Sequence, residues 1–171
     1  MPSSGVTAPQ GTTRTLAEEL AALFVRDLTR LAQQLRAFPD TAAVWKLAPG
    51  VANAAGTLAL HLEGNLREYV GRQLGGVEYR RDRPREFSAR SIERDELIER
   101  VEAVRETVRS VVGALTQAVL DAPYPEPYDG ALLSTRQFLI HLSGHLNYHL
   151  GQVDYLRRVT TGAGAIPLAT L

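Results

Sequence analysis

The sequence contains no cysteine, which excludes disulfides, thiolate metal ligands and a cysteine nucleophile. Any transition-metal site must therefore be built from nitrogen and oxygen donors. Net charge is missing too, because 19 Lys plus Arg balance 19 Asp plus Glu. That balance argues against a partner chosen by bulk charge, whether nucleic acid or an anionic membrane surface. No apolar run approaches the ~18 residues of a bilayer-spanning helix. Nor does any segment show the period-two alternation of a half-buried strand.

What is present reads as one ordinary globular domain: 171 residues, 44% hydrophobic and 22% charged, enough to build one continuous core. Met1 to Gly11 is rich in Ser, Pro and Gly. Residues 1–12 are accordingly expected to form a disordered tail, neither signal peptide nor membrane span, and the cytoplasm is the expected compartment. Residues 13–160 form the domain, and the Gly-containing apolar segment 161–171 is expected to pack on it or on a partner.

Hydrophobic period marks out four long helices. The first spans about Thr15 to Ala37, with the stripe Leu16, Leu20, Leu23, Phe24, Leu28, Leu31, Leu35. Thr15 with Glu18 forms a capping box at its start, and Pro39 marks its end. After a loop carrying Trp45, Pro49 and Gly50, a second helix runs from about Asn53 to Leu74 and stops at Gly75-Gly76. Residues 77–90, VEYRRDRPREFSAR, interrupt the pattern as a charged connection. The third helix is predicted from about Ser91 to Leu120. Pro123, Pro125 and Pro127 make the next stretch a loop. The fourth begins near Ser134, where Ser134 and Gln137 form another capping box, and reaches about Val159. The fold class is all-α: a four-helix bundle with long loops and no significant sheet.

There are four histidines. His61 lies on the apolar stripe of the second helix. His141, His145 and His149 follow one another at four-residue intervals on the fourth, which places successive imidazoles on one face. Two of them can share one ion, and a third ligand must come from a facing helix, where His61 is the only histidine. Three neutral imidazoles with an open fourth position make a catalytic-type zinc site, or a nickel or iron one. A simpler reading has the histidines buried and hydrogen-bonded to carbonyls or hydroxyls. Four polar rings directed into one apolar interior are hard to satisfy that way without an ion. Spacing alone leaves two pairs equivalent, His141 with His145 and His145 with His149.

The segment HLSGHLNYHLGQVDYLRR, His141 to Arg158, resembles the fourth-helix signature of the DinB-like superfamily of metal-dependent bundle proteins. That signature is H-x3-H with the second His followed closely by Gly-Gln. NAAGTLALHLEGNLREYVG, Asn53 to Gly71, is similar to the family's second helix with its single ligand His. RRDRPREF, Arg80 to Phe87, resembles a subgroup's following loop. The resemblance covers about residues 15–160. It implies that His61, His145 and His149 are the ligands, since His149 precedes Gly151-Gln152. It also implies that His141 is a pocket or supporting residue, that the bundle order is unusual, and that homodimers are frequent.

Around the ion, Gln152 lies three residues after His149 and Asn65 one turn after His61; either could hold a ligand imidazole or a bound water. Trp45 is expected either to wall the pocket mouth or to pack over the bundle end. Arg81 and Arg83, within the cluster Arg80, Arg81, Arg83 and Arg85, are candidates for binding an anionic substrate. The interleaved Glu78, Asp82 and Glu86 make a solvated, salt-bridged connection the simpler reading. Other bundle chemistries have no footing. No Glu is followed three residues later by His, and there is no H-E-x-x-H, G-x-S-x-G or phosphate-binding glycine loop.

The expected function is that of a divalent-metal-dependent enzyme with one ion per chain and a small-molecule substrate. Zinc is favoured, with nickel or iron as alternatives. Relatives in the resembled family include S-transferases using bacillithiol or mycothiol, so the resemblance implies a low-molecular-weight thiol as co-substrate. The alternatives are a metal-dependent hydrolase, or a non-catalytic, stress-related metal- or ligand-binding protein in which the ion is structural.

Overall fold

The computed structural model describes residues 14–171, so the expected tail over residues 1–12 lies outside the described residues. Helix α1 (Leu16–Arg36) starts at the expected capping box, with Thr15 and Glu18 satisfying each other's backbone donors. Its stripe Leu20, Phe24, Leu28, Leu31 and Leu35 is buried, each side chain contributing roughly 1.5–3 kcal/mol of transfer free energy. A short helix α2 (Thr41–Trp45), capped by Asp40, follows in the expected loop.

Helix α3 (Ala55–Leu66) differs from the others because every one of its residues is buried. Its apolar residues are spread around the whole circumference, as suits a helix enclosed on all sides. Small residues make that enclosure possible. A Cβ on Gly56 would lie 2.9 Å from the Trp45 ring and from Val44, so α2 rests directly on the α3 backbone. Trp45 is locked there by its indole N–H, which donates to the Ile92 carbonyl at 2.8 Å. Trp45 is buried in the core at this contact. Helix α3 continues into a π-helical stretch, Arg67–Arg72, and the chain leaves it at Gly76 with φ +64°, a value that favours glycine.

The charged connection is not an unbroken loop. It contains helix α4 (Arg83–Ser88), capped by Asp82, whose side chain accepts from Arg85 N–H, with proline in its first turn. Asp82 and Pro84 are the capping and first-turn residues that start helices; the density of charge around them hides the signal. The third long helix is also shorter than its hydrophobic pattern implies. Helix α5 (Arg94–Gly113) ends at Ala114, and α6 (Gln117–Asp121) restarts with Thr116 as its cap. Helix α7 (Thr135–Thr161) starts at Ser134 as expected and ends at Gly162 in the left-handed conformation.

Helices α1 and α3 each pack on both α5 and α7, so α1 faces α3 across the core and α5 faces α7. The first and second long helices are therefore diagonal, as are the third and fourth, while α3 and α5 are neighbours; the resemblance implies an unusual bundle order without saying which. Among the described residues the only β-type pairings are isolated bridges. The C-terminal segment folds back on its own bundle. Arg30 donates to the Ala169 carbonyl at 2.8 Å, Ala169 N–H donates to Gln33 at 3.0 Å, and the fully buried Arg157 donates to the Gly164 carbonyl at 2.8 Å.

Candidate metal centre

Helices α3 and α7 run antiparallel along one seam, where His61 meets His145 and, two turns further, Tyr69 meets Phe138. In that seam the candidate ligand atoms of His61, His145 and His149 all lie within 4.8 Å of one another. The two Nε2 atoms of His61 and His145 are 3.2 Å apart. Two nitrogen donors bound at about 2.0–2.1 Å to one tetrahedral ion sit roughly 3.3 Å apart, so the spacing suits shared coordination. The rings meet edge to face, with centroids 4.6–5.4 Å apart. Between the two pairs that spacing left open on α7, the geometry selects His145 with His149.

Each ligand has a distinct outward environment. Nδ1–H of His61 donates to Glu86 Oε2 at 3.0 Å. Glu86 is itself clamped by Arg81, through Nε at 2.7 Å and Nη2 at 2.9 Å. Burial alone would push the Glu86 carboxyl up. The hydrogen bonds from His61 and Arg81, together with their charges, bring it below the usual carboxylate range instead. On the other side, Nδ1 of His149 pairs with Gln152 Oε1 at 2.7 Å. The third outward nitrogen, Nδ1 of His145, is buried with no partner.

This arrangement tests whether a metal suits the residues present. With the Nδ1 protons of His61 and His149 committed outward, both Nε2 atoms present lone pairs to the shared space. His145 alone has a proton to donate there, and it cannot satisfy both. A cation satisfies several inward lone pairs at once. Burial, and then the neighbouring His149 and His61, lower His145 to about 4; burial also lowers His149. Both imidazoles are thus neutral and able to ligate at physiological pH. The donor set and the charge state fit a divalent ion.

The remaining sequence candidates fall into place around this group. Gln152 lies beside His149, its Oε1 2.7 Å from Nδ1. Asn65 is buried one turn from His61, and its Oδ1 has no hydrogen-bond partner. His141 is exposed and packs against Tyr128, with ring centroids 4.6 Å apart. Arg81 is committed to Glu86 and the edge of His61. Arg83 lies over the Phe87 ring at 5.2 Å. Sequence reasoning missed Glu86 and Phe87. Glu86 is 6% exposed and not part of a solvated charge network, while Phe87 packs on His61 at 4.9 Å. Gly64 makes room for Glu86, because a Cβ there would run into the carboxylate.

The model of the DinB superfamily matches residues 23–153, from within α1 to beyond His149. The chain belongs to the DinB superfamily. Membership and the three-histidine group both fit a metal-binding protein. No curated protein matches the sequence.

Proposed function

We propose that this protein is a divalent-metal-dependent enzyme of the thiol S-transferase type, working through an open three-histidine site. The observation that carries the reading is the convergence of His61, His145 and His149 with no fourth His, Asp or Glu in the group among the described residues. A structural zinc site closes with four protein ligands, whereas a catalytic one keeps a position open. A bound ion there supplies Lewis acidity, lowering the pKa of a water or thiol at that open position.

The chain's own residues supply the rest. Glu86, held by Arg81, fixes the tautomer and orientation of His61, and Gln152 does the same for His149. The Phe87 ring packs on His61 with centroids 4.9 Å apart, and the exposed Tyr148 ring lies 5.2 Å from that of His149. Zinc is the expected ion, from the all-imidazole donor set.

One observation favours the alternative of a structural ion. Glu86, the carboxylate adjoining the ligands, is fully engaged and so is not free as a general base. The two readings separate experimentally. The enzyme reading predicts that zinc-loaded protein consumes a low-molecular-weight thiol in the presence of an alkylating electrophile, and that His145→Ala does not. Metal that raises the melting temperature yet supports no thiol consumption in any loaded form selects the structural reading.

A further inference from the structure

Next to the histidine group, a cavity of about 550 Å³ opens between the loop of residues 48–53 and the C-terminal half of α7. Its volume falls within the roughly 300–1,000 Å³ of small-molecule sites. The walls are apolar, with Pro49, Val51, Leu58, Tyr155, Leu156 and Val159 as the larger contributors. No Lys, Arg, Asp or Glu lines it, and the Gln152 and Asn53 amides and the Tyr155 hydroxyl are its polar side-chain groups.

The cavity and the metal centre are successive layers of the same α3/α7 seam. Leu58 lies three residues before His61 on α3, and Gln152 three residues after His149 on α7, so each helix presents both layers on one face. Gln152 belongs to both, lining the cavity while its Oε1 pairs with His149 Nδ1 at 2.7 Å. The outer wall is a built turn: Val51 N–H donates to the Ala48 carbonyl at 3.2 Å, and Gly50 takes φ +74°, a conformation that favours glycine. Val51, Tyr155 and Val159 are left 39%, 67% and 65% exposed, an apolar surface awaiting an occupant.

We infer that this cavity binds the apolar arm of an uncharged small molecule whose reactive end reaches the open side of the histidine group past Gln152. The inference deepens the enzyme reading above and rests on it for its catalytic meaning, but binding of the arm stands independently. It assigns the substrate a neutral aliphatic or aryl character, not the anionic character that the arginine-rich connection invites, because Arg81 is already spent on Glu86. A small molecule is favoured over a second copy of the chain because the surface is concave and ends against Gln152, the hydrogen-bond partner of the candidate ligand His149.

The test titrates N-phenyl-1-naphthylamine, a neutral apolar fluorophore, into full-length metal-free protein. The proteins compared are wild type, Val51→Arg, Val159→Arg and Ile140→Arg, the last placing the charge on an exposed α7 position outside the cavity. Wild type and Ile140→Arg are expected to bind saturably, one probe per chain. Val51→Arg and Val159→Arg are expected to bind about tenfold more weakly or worse, with unchanged circular dichroism and metal uptake. Saturating probe should also shift the imidazole nitrogen resonances of His149 while leaving those of His141 in place.

Equal affinity in all four proteins overturns the inference, as does an unmoved His149. Light scattering showing that Val51→Arg and Val159→Arg convert a wild-type dimer to monomer assigns the surface to a second copy and also overturns it. Probe binding by a protein that takes up no metal would leave the cavity in place and remove the enzyme reading. Metal uptake without probe binding would do the reverse.

Discussion

Glu86 Oε2 lies 3.0 Å from Nδ1 of His61, and the contact joins a short helix in a charged connection to the most enclosed helix of the bundle. Removing the carboxylate frees the ring to rotate and lets its tautomer change. Glu86→Gln should keep the fold and weaken zinc affinity roughly 10- to 100-fold. Competition against a chromophoric chelator measures this directly, and unchanged affinity would show that the contact does not tune the site.

Gly64→Ala tests the same contact from the other side. The new methyl meets the Glu86 carboxylate, which Arg81 and His61 hold in place, so the carboxylate must shift. Zinc affinity is expected to fall in this variant although no ligand or partner has been altered. Gly113→Ala, where a Cβ meets only the Ala21 methyl at 3.8 Å, should leave it unchanged.

Stability should depend on pH in the metal-free protein. His145 is lowered to about 4 in the folded state from an ordinary value of 6.5, first by burial and then by its histidine neighbours. The unfolded chain therefore binds the proton more readily than the folded one, and stability must fall as pH drops from about 6.5 toward 4. Melting temperatures across that range should decline less steeply in His145→Gln, where the titrating group is gone. A slope unaffected by the substitution would contradict the assignment.

Arg157 is fully buried between α1, α7 and the C-terminal segment, donating to Gln34 at 2.6 Å and to the Gly164 carbonyl. Arg157→Leu should destabilise the fold by about 1.5–3 kcal/mol in urea unfolding. It should also loosen residues 162–171, seen as faster proteolysis there.

Much of the site was legible in the sequence because its pieces are local in sequence. The four-residue spacing of His145 and His149 fixes their shared helical face, and the apolar surroundings of His61 mark an inward position. The capping pairs Thr15–Glu18 and Ser134–Gln137 placed two helix starts to within a residue. Glu86 was not legible, because nothing in RRDRPREF distinguishes a carboxylate that will be buried 25 positions from its histidine partner from those that stay in water. The break between α5 and α6 escaped for a related reason. Leu115 and Val119 continue the apolar period, while the chain turns at Ala114. Periodicity also carries no information on helix order. The diagonal placement of α1 and α3 follows from packing among all four helices, and the family resemblance implied only that the order is unusual.

If His61, His145 and His149 hold one divalent ion, elemental analysis of the purified protein will find it. The protein should be untagged, purified without immobilised-metal chromatography, and compared with His149→Ala and His141→Ala. About one zinc, nickel or iron per chain is expected in the wild type and in His141→Ala, and none in His149→Ala. Absence of metal from a folded wild type that takes up none on addition would contradict it. So would full occupancy in His149→Ala with loss in His141→Ala.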